Sequence, residues 1–268
     1  MVLCPVCGEP LTMEPGVWRC AQGHSFDVAR QGYVNLLPVA QKHSLHPGDT
    51  REQVAARKRF LDAGHYTPIA EAVREILRAE APGTILDAGC GEGYYLTYAA
   101  PEGAQCWGVD ISKDAVRYAA VRNKNARWIV GTAAHLPFAD GAFDCVISMF
   151  ALTAAEEFRR VLRPGGLFLQ VIAHPAHLTG LKSVIYPELL HKEKQTAAEL
   201  PGFSLAESRL LEFDFTLHSR ETVADLLSMT PHFWRITKEG AARAAETDYL
   251  QDTARVILNL YRSESNAG

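Results

Sequence analysis

The sequence lacks any apolar run that approaches the roughly 18 residues needed to cross a bilayer. Its first residues, Met-Val-Leu-Cys-Pro, have neither the basic start nor the apolar stretch of a signal peptide. The net charge is only −4 over 268 residues, which gives no global sign of nucleic-acid binding. We therefore expect a cytoplasmic globular protein with no membrane partner. Its length fits one or two domains, since a domain commonly holds about 100–200 residues.

Positive charge is scarce overall but locally concentrated. Between residues 19 and 60 seven cations stand against three anions. A local field of this sign attracts phosphates, although a charge run alone is more often a solvated helix face. The cations are Arg19, Arg30, Lys42, Arg51, Arg57, Lys58 and Arg59.

Cysteine is also scarce, and three of the six cysteines lie in the first twenty residues. The spacing Cys4-x2-Cys7-x12-Cys20-x3-His24 delivers four ligands as two short pairs, which is how a tetrahedral zinc site is built. Four protein ligands leave no open position, so the predicted Zn²⁺ is structural. A redox pair formed by Cys4 and Cys7 is the remaining alternative. Outside this cluster, the apolar surroundings of Cys106 and Cys145 predict buried small side chains.

Around the metal ligands, short strands at 11–12 and 17–18 flank the turn Glu14-Pro15-Gly16. So short a segment cannot bury enough surface to fold without a metal. We predict three parts: a zinc-binding finger at 1–36, a linker with helices at 37–83, and a cofactor domain at 84–268. The helices of the middle part are predicted at 51–63, capped by Asp49 or Thr50, and at 68–80.

From residue 84 onwards short apolar strands alternate with helical patterns, which predicts an α/β domain with a parallel, doubly wound sheet. Strands are predicted at 84–88, 105–110, 127–130, 143–149 and 167–173, and helices at 93–100, 112–122 and 154–162. Further helices are predicted at 180–190, 193–200, 221–229 and 241–248, with strands within 203–217 and at 254–261.

The first of these strands runs into a glycine-rich loop that differs from the G-x-G-x-x-G of dinucleotide folds. Gly89, Gly91 and Gly93 let the backbone turn tightly and approach a ligand closely. Asp87, at the end of the strand, can hold the loop or meet the ammonium group of a cofactor. Asp110 lies 23 residues further along, where a carboxylate accepts hydrogen bonds from both hydroxyls of a ribose. A role for Asp110 as a helix cap is the alternative.

Two later positions complete the predicted site. His135 belongs to the segment that follows the third strand, where the edge of an adenine would lie. Phe150 ends the fourth strand at the topological switch point, where ligands of such sheets bind and the reacting methyl group should lie. Val161-Leu-Arg-Pro-Gly-Gly166 forms the turn before the fifth strand.

This ordered series resembles the class I S-adenosylmethionine methyltransferases over residues 84–173. Together with the finger, the chain resembles the bacterial 23S rRNA guanine-N1 methyltransferases over nearly its whole length, a family that includes housekeeping and macrolide-resistance enzymes. The segments that carry this likeness include Gly32-Tyr-Val-Asn-Leu-Leu-Pro38, Arg57-Lys-Arg-Phe-Leu-Asp-Ala-Gly-His-Tyr66, Ala173-His-Pro-Ala-His177 and Leu227-Ser-Met-Thr-Pro-His-Phe-Trp234.

The resemblance implies a Rossmann-like sheet of seven strands in the order 3-2-1-4-5-7-6, S-adenosylmethionine as cofactor, and zinc at the four finger ligands. It further implies that Tyr66, Gly91, Glu92 and His177 contact the cofactor. For the partner it implies a 23S rRNA hairpin that is gripped by the finger and a basic flank of Arg57, Lys58 and Arg59, with a homodimer as an option.

The residues alone leave some of these roles open: Tyr66 could simply pack its ring at a helix end, and His177 could be a surface histidine. Phe150 is our candidate for stacking on an extruded guanine, with an ordinary core aromatic as the alternative. In the family a proline and polar residues usually follow the aromatic-Ala pair, whereas Leu152-Thr-Ala-Ala155 follows here. A methyltransferase for a small molecule or a protein, or an RNA adaptor that binds cofactor without turnover, therefore stays open.

Overall fold

The computed structural model describes residues 1–41, 47–188 and 197–264. Within these ranges the strands are β1 (Leu11–Glu14), β2 (Val17–Cys20), β3 (Ser25–Asp27), β4 (Tyr33–Asn35), β5 (Thr84–Ala88), β6 (Gln105–Asp110), β7 (Arg127–Val130), β8 (Phe143–Met149), β9 (Leu162–Ala173), β10 (Phe203–Leu217) and β11 (Leu250–Ser263). The helices are α1 (Arg51–Asp62), α2 (Thr67–Glu80), α3 (Tyr94–Ala99), α4 (Lys113–Arg122), α5 (Ala155–Val161), α6 (Thr179–Ile185), α7 (Arg220–Ser228) and α8 (Lys238–Glu246).

The central sheet has the order β10-β11-β9-β8-β5-β6-β7-β4 across the described ranges. Strands β9, β8, β5, β6 and β7 run parallel to one another, and β11 is antiparallel to both β9 and β10. Counted along the cofactor domain, this is the predicted order 3-2-1-4-5-7-6, with the last strand antiparallel. The parallel core places the carboxyl ends of β5, β6 and β8 at one edge, which is where such sheets bind their ligands.

An eighth strand extends the sheet beyond the seven that were predicted. Strand β4 pairs in parallel with β7, with Tyr33 opposite Trp128 and Asn35 opposite Val130. Three residues are too few for a recognisable alternation, so the sequence pattern could not indicate this strand. Although residues 33–35 fall within the predicted finger, their backbone is hydrogen-bonded into the large sheet.

Local sequence accounts for the helix that precedes the cofactor domain. Thr50 accepts a hydrogen bond from the backbone N–H of Gln53, and the Gln53 side chain accepts one from the backbone N–H of Thr50. This reciprocal pair is a capping box, and it starts α1 at Arg51. Helix α2 follows with Pro68 in its first turn, and Ala81, the residue after its end, adopts the left-handed conformation of a C-cap.

Of the helices beyond β9, α7 and α8 lie close to the predicted 221–229 and 241–248, whereas α6 is shorter than predicted. Helix α6 ends at Ile185, so the predicted helix to residue 190 continues too far, and its last two residues lie outside the described ranges. Residues 193–196 of the helix predicted at 193–200 also lie outside them, and residues 197–200 are not helical. Every helix of the described residues is too short or too polar to cross a membrane.

Candidate metal centre and cofactor cleft

The first functional cluster consists of the four predicted zinc ligands, which the fold of the finger brings together. Strands β1, β2 and β3 form a small antiparallel sheet, and the ligand atoms of Cys4, Cys7, Cys20 and His24 all lie within 4.8 Å of one another. The sulfurs of Cys7 and Cys20 are 3.7 Å apart, and the Cys20 sulfur is 3.4 Å from His24 Nδ1.

The distances of 3.7 and 3.4 Å match the edges of a zinc tetrahedron. Zn–S bonds of about 2.3 Å and Zn–N bonds of about 2.0 Å place sulfur atoms about 3.8 Å apart and a sulfur about 3.5 Å from a nitrogen. The donor set is closed, because four protein atoms fill the coordination sphere. The residues present therefore fit a structural Zn²⁺, and Cys90, Cys106 and Cys145 lie elsewhere as buried thiols.

The finger is attached to the cofactor domain through both backbone and side chains. The N–H of Leu3 donates to the carbonyl of Pro137 (2.9 Å), and the N–H of Ala139 donates to the carbonyl of Met1 (3.0 Å). Trp18 of β2 packs edge-on against Trp107 of β6 with ring centroids 6.4 Å apart. The metal centre is thus held in a definite position against the sheet.

The second cluster begins with the loop after β5. Gly89 and Gly91 have φ angles of +89° and +54°, a region that favours glycine. A Cβ on Gly89 would lie 2.5 Å from Cβ of Ala151, so the loop and the segment after β8 meet only because that position has no side chain. Gly93 serves packing instead, because a Cβ there would lie 2.6 Å from the Trp128 ring.

Asp110 closes this loop from the end of β6. Its Oδ2 accepts a hydrogen bond from the N–H of Gly91 (2.9 Å), and its Oδ1 accepts one from the N–H of Ser112 (2.8 Å). Ser112, not Asp110, caps helix α4 by accepting from the N–H of Ala115. Burial raises the pKa of Asp110 against the opposing effect of these hydrogen bonds.

Two further carboxylates, at Asp87 and Glu92, are buried and have incomplete partners. Asp87 Oδ1 and Glu92 Oε1 lack hydrogen-bond partners within the described residues, and Glu92 Oε1 lies 3.8 Å from Arg122 Nη2. Burial raises the pKa of both carboxyls; Arg57 and Arg122 oppose the rise at Glu92. Unsatisfied buried oxygens beside a loop without side chains fit a ligand that carries hydroxyl and ammonium donors, which S-adenosylmethionine does.

The side chains of Tyr66 and His177 contact each other in the same cleft. The N–H of Arg255 donates to His177 Nδ1 (3.0 Å), so the neutral ring carries its proton on Nε2, which lies 3.3 Å from the Tyr66 hydroxyl oxygen. Burial lowers the pKa of His177 to about 4, with Lys182 as the next cause, and burial raises the pKa of Tyr66. The Nε2–H of a neutral His177 donates to the phenol oxygen, which leaves the phenol hydrogen free to point towards a ligand.

Phe150 stands where the fourth strand of the cofactor domain ends. Its φ is +55°, rare for a bulky residue and typical of positions held by their surroundings. Its side chain is 41% exposed, and its ring lies roughly parallel to His177, with centroids 6.4 Å apart. An exposed aromatic ring of this kind offers a flat face to a planar ligand.

A single cleft of about 1910 Å³ joins these features. The predicted site residues that line it are Tyr66, Gly89, Gly91, Glu92, Asp110, Phe150 and His177. Asp87 and Gly93 are buried and do not line it, and His135 is exposed in the turn after β7, also outside the lining. Lining residues that the sequence pattern did not indicate include Asp49, Gln53, Tyr95, His232, Trp234 and Arg235.

The basic flank differs from its prediction. Arg57 lines the cleft, pairs with Asp49 at 2.5 Å, and lies near Glu92 and Asp110, so it faces the cofactor site rather than an outer surface. Lys58 pairs with Asp62 one helical turn away (2.6 Å). Arg59 donates two hydrogen bonds to the Asp225 carboxylate, at 2.9 and 2.6 Å. The three cations are therefore engaged within the protein and do not form a free cationic patch.

Two family models match the chain at the positions of these two clusters. A zinc-ribbon model, described as the N-terminal part of RlmA, matches residues 2–45. A model described as a methyltransferase domain matches residues 86–170.

Three curated relatives match most of the chain. A 23S rRNA (guanine(748)-N(1))-methyltransferase of Streptomyces fradiae is 36% identical, over 90% of this chain and 88% of the relative. A putative 23S rRNA (guanine-N(1)-)-methyltransferase of Micromonospora griseorubida is 41% identical, over 97% and 96%. A protein of the same description from Bacillus subtilis is 31% identical, over 89% of each chain.

Proposed function

This chain belongs to the 23S rRNA (guanine-N1)-methyltransferase family, and from that membership we propose that it methylates N1 of one guanine in a hairpin of 23S rRNA. It is an S-adenosylmethionine-dependent methyltransferase with a structural zinc module. The observation that carries the proposed substrate is the joint match of finger and cofactor domain to relatives over about nine-tenths of the chain. A methyltransferase domain alone would not restrict the substrate class.

The proposed cofactor site uses the edge of the sheet around Gly89 and Asp110. Backbone without side chains at Gly89 and Gly91 allows the amino-acid part of the cofactor to approach, and Asp110 accepts from ribose hydroxyls. Tyr66 donates its phenol hydrogen to the ligand while His177 holds the phenol oxygen. Bound S-adenosylmethionine supplies an electrophilic methyl group on a sulfonium, which is a good leaving group.

The proposed role of Phe150 is to orient the target base. Guanine N1 is unreachable inside a paired stem, so the base must leave the stack before its N1 can face the methyl group. The exposed ring of Phe150, beside the loop at Gly89, offers a stacking surface at the strand end where the reaction should occur. Orientation of this kind accounts for a large part of the rate enhancement in methyl transfer.

The N1–H bond of guanine must break as the bond from N1 to carbon forms, so a proton leaves the base. His177 is unsuited to accept it, because its Nδ1 is already bonded to the Arg255 N–H and its Nε2 faces Tyr66. Glu156 is exposed and lies outside the cleft lining, as does His135. His174 lines the cleft, but its Nδ1 accepts from the Ala176 N–H, so the neutral ring carries its proton on Nε2 and is unsuited in the same way. We therefore favour release of the proton to water.

For RNA recognition we propose the finger at 1–36 together with the cations around it. Arg30 and Arg51 are exposed and form no ion pairs within the described ranges, and Arg59 keeps about half of its side chain exposed beside Asp225. Three points remain predictions: the boundaries of the parts at residues 36 and 83, the hairpin as the target, and the homodimer. Sedimentation of the protein at two concentrations tests whether it forms the homodimer. A ribosomal substrate supports the cytoplasm as the location.

The experiment is transfer of labelled methyl from S-adenosylmethionine to 23S rRNA that lacks the modification, followed by primer extension. We expect a single N1-methylguanine stop in one hairpin. Cofactor binding and zinc content with no transfer to any RNA would contradict the proposal. That outcome would favour a small-molecule or protein substrate, or an RNA adaptor whose altered segment after Phe150 no longer supports turnover.

A further inference from the structure

The mouth of the cleft carries an aromatic pair that the proposed reaction leaves unused. Phe233 and Trp234 lie on the 3-10 turn Pro231–Trp234 after α7, with ring centroids 5.1 Å apart. Their side chains are 40% and 70% exposed, and Trp234 lines the same cleft as Phe150. An indole so exposed at the entrance of a binding site is typical of an interaction surface.

The turn that presents Trp234 is held from several sides. Thr230 Oγ1 donates to the carbonyl of Leu227 (2.8 Å), and the ring of His232 lies with Nδ1 2.9 Å from the Tyr186 hydroxyl. The N–H of Arg235 donates to the carbonyl of His232 (2.9 Å). Trp234 is therefore displayed on a supported backbone, and little ordering is needed when it binds a partner.

The charges around this pair favour a polyanion. Arg235 is exposed, lines the cleft beside Trp234 and has no acidic partner within residues 1–41, 47–188 and 197–264. Lys182 and His174 line the cleft as well. The acidic lining residues are Asp49, Glu92 and Asp110, which face Arg57 at the cofactor site, and Glu188. Exposed aromatic rings interleaved with cations form the surface on which single-stranded nucleic acids stack their bases.

We propose that Trp234, assisted by Arg235, is a stacking platform for an unpaired nucleotide of the RNA substrate at the mouth of the cleft. The inference rests on the proposed function, because it assumes that an RNA loop enters the cleft with its target base towards Phe150. One exposed ring then receives the target base, and the other holds a neighbouring base outside the reaction centre. The two rings occupy one continuous cleft, which a loop with splayed bases can span.

Tryptophan fluorescence gives a direct test, because the other three tryptophans are buried. Trp18, Trp107 and Trp128 are 7%, 8% and 1% exposed, so acrylamide should quench mainly Trp234. We expect the quenchable component to be missing from W234F. We expect it to become protected when an unmodified 23S hairpin is added to the wild type.

Kinetics with W234A give the second readout. We expect the KM for RNA to rise on the order of tenfold, from the loss of one stacked base. The kcat at saturating RNA and the Kd for S-adenosylmethionine should stay near wild type. The matched control is Y249A, since Tyr249 is 57% exposed but lies outside the cleft lining; its KM should not change. Thermal unfolding of W234A checks that the fold is intact, and W234F should recover most of the affinity.

The outcomes separate this inference from the function beneath it. In one outcome the wild-type enzyme methylates the hairpin, Trp234 stays quenchable, and W234A keeps its KM for RNA. The stacking role of Trp234 would then be wrong, whereas the proposed methyltransferase function would be supported. If Trp234 is protected by RNA but no methyl group is transferred, the platform is supported and the proposed function is contradicted. Protection that grows with protein concentration in the absence of RNA would overturn the platform in favour of a contact between two copies of this chain.

Discussion

The finger and the cleft maintain their geometry by different physical means. The finger has strands of three or four residues, and its shape depends on four ligand atoms that converge within 4.8 Å. The cleft stands on the edge of a large sheet and tolerates features that cost stability. These include the positive φ of Phe150 and the oxygens of Asp87 and Glu92 that have no hydrogen-bond partner among the described residues. The metal ion holds the finger in its fold, whereas the packed sheet holds the cleft in place and stabilises its strained residues. The two regions should therefore fail differently when they are altered.

The largest effect is expected from loss of the metal. C7S removes one ligand, and structural zinc contributes about 10–16 kcal/mol in small finger peptides, so we expect loss of zinc and a cooperative loss of structure at the N-terminus. The Kd for S-adenosylmethionine should stay near its original value, because well-separated sites usually act additively. Metal analysis and calorimetric titration measure the two quantities.

The matched control for C7S is C106S, which changes a buried cysteine outside the finger and should keep its zinc. If C7S bound cofactor far more weakly than C106S, the two regions would be one cooperative unit. The contacts of the finger with Pro137 and Trp107 would then be the route of that coupling.

The reverse experiment changes the cleft and spares the finger. In D110N only one oxygen remains to accept from the N–H groups of Gly91 and Ser112, which lie 2.9 and 2.8 Å from the carboxylate. We expect the cofactor Kd to rise about 10- to 100-fold, from one unsatisfied donor and a lost ribose acceptor. Zinc content should not change. D140N is the control, because Asp140 has a side chain that is 83% exposed; equal weakening in both variants would contradict the role of Asp110.

Phe150 separates binding of cofactor from handling of the base. F150A should lower kcat/KM for RNA by about 5- to 150-fold, the range of 1–3 kcal/mol measured for one stacked base. Its cofactor Kd should be unchanged. L152A is the nearby control, since Leu152 is 67% exposed on the same segment. A labelled-methyl assay with unchanged turnover in F150A would remove Phe150 from the reaction centre.

A smaller effect should distinguish strain from collision at the glycine loop. Gly89 and Gly103 have similar φ angles, +89° and +83°, but a Cβ on Gly103 meets nothing within 4 Å while one on Gly89 meets Ala151 at 2.5 Å. G103A should therefore cost about 1–2 kcal/mol of unfolding free energy from backbone strain alone. G89A should cost about 1–3 kcal/mol more and weaken cofactor binding. Urea unfolding measures the difference, and G89A/A151G should recover the part that is due to collision.

The same pair of regions shows what the sequence could predict. The finger ligands follow from spacing within 21 residues, and Gly89 and Asp110 follow because parallel strands end at one edge of a sheet. The different tasks of Gly89 and Gly93 could not be separated, because the second depends on Trp128, which arrives from a distant strand. The side chain of Arg57 could not be assigned to the cleft, because a run of charges in the sequence does not indicate which way each side chain points.

The contribution of residues far along the chain to the cleft could not be predicted either, because it depends on packing between distant elements. No short-range pattern around Trp234 indicates that its turn lines the cleft, because that depends on how α7 packs against α1. Strand β4 was missed because three residues show no period. The sequence predicts where a residue lies when it belongs to a periodic pattern or a spaced motif. It does not predict a location that arises from packing between distant elements.

The smallest effect concerns the stability of the cleft wall against pH. His177 has an ordinary pKa of 6.5 and a folded-state pKa of about 4, chiefly because it is buried. Between these values the unfolded chain binds the proton more readily than the folded one, so His177 makes the protein less stable as the pH falls below about 6.5 and has its full effect below about 4. At about pH 5.5 this amounts to about 1 kcal/mol of unfolding free energy.

Glu92 and Asp110 have raised pKa values and change the stability in the opposite direction. The contribution of His177 must therefore be measured as the difference in unfolding free energy between wild type and H177N. The asparagine keeps an acceptor for the Arg255 N–H but does not titrate. The unfolding free energy of H177N relative to wild type should therefore rise as the pH falls from 7 to 5. A constant difference over that interval would mean that water reaches the ring, and that the wall of the cleft is as open as its mouth.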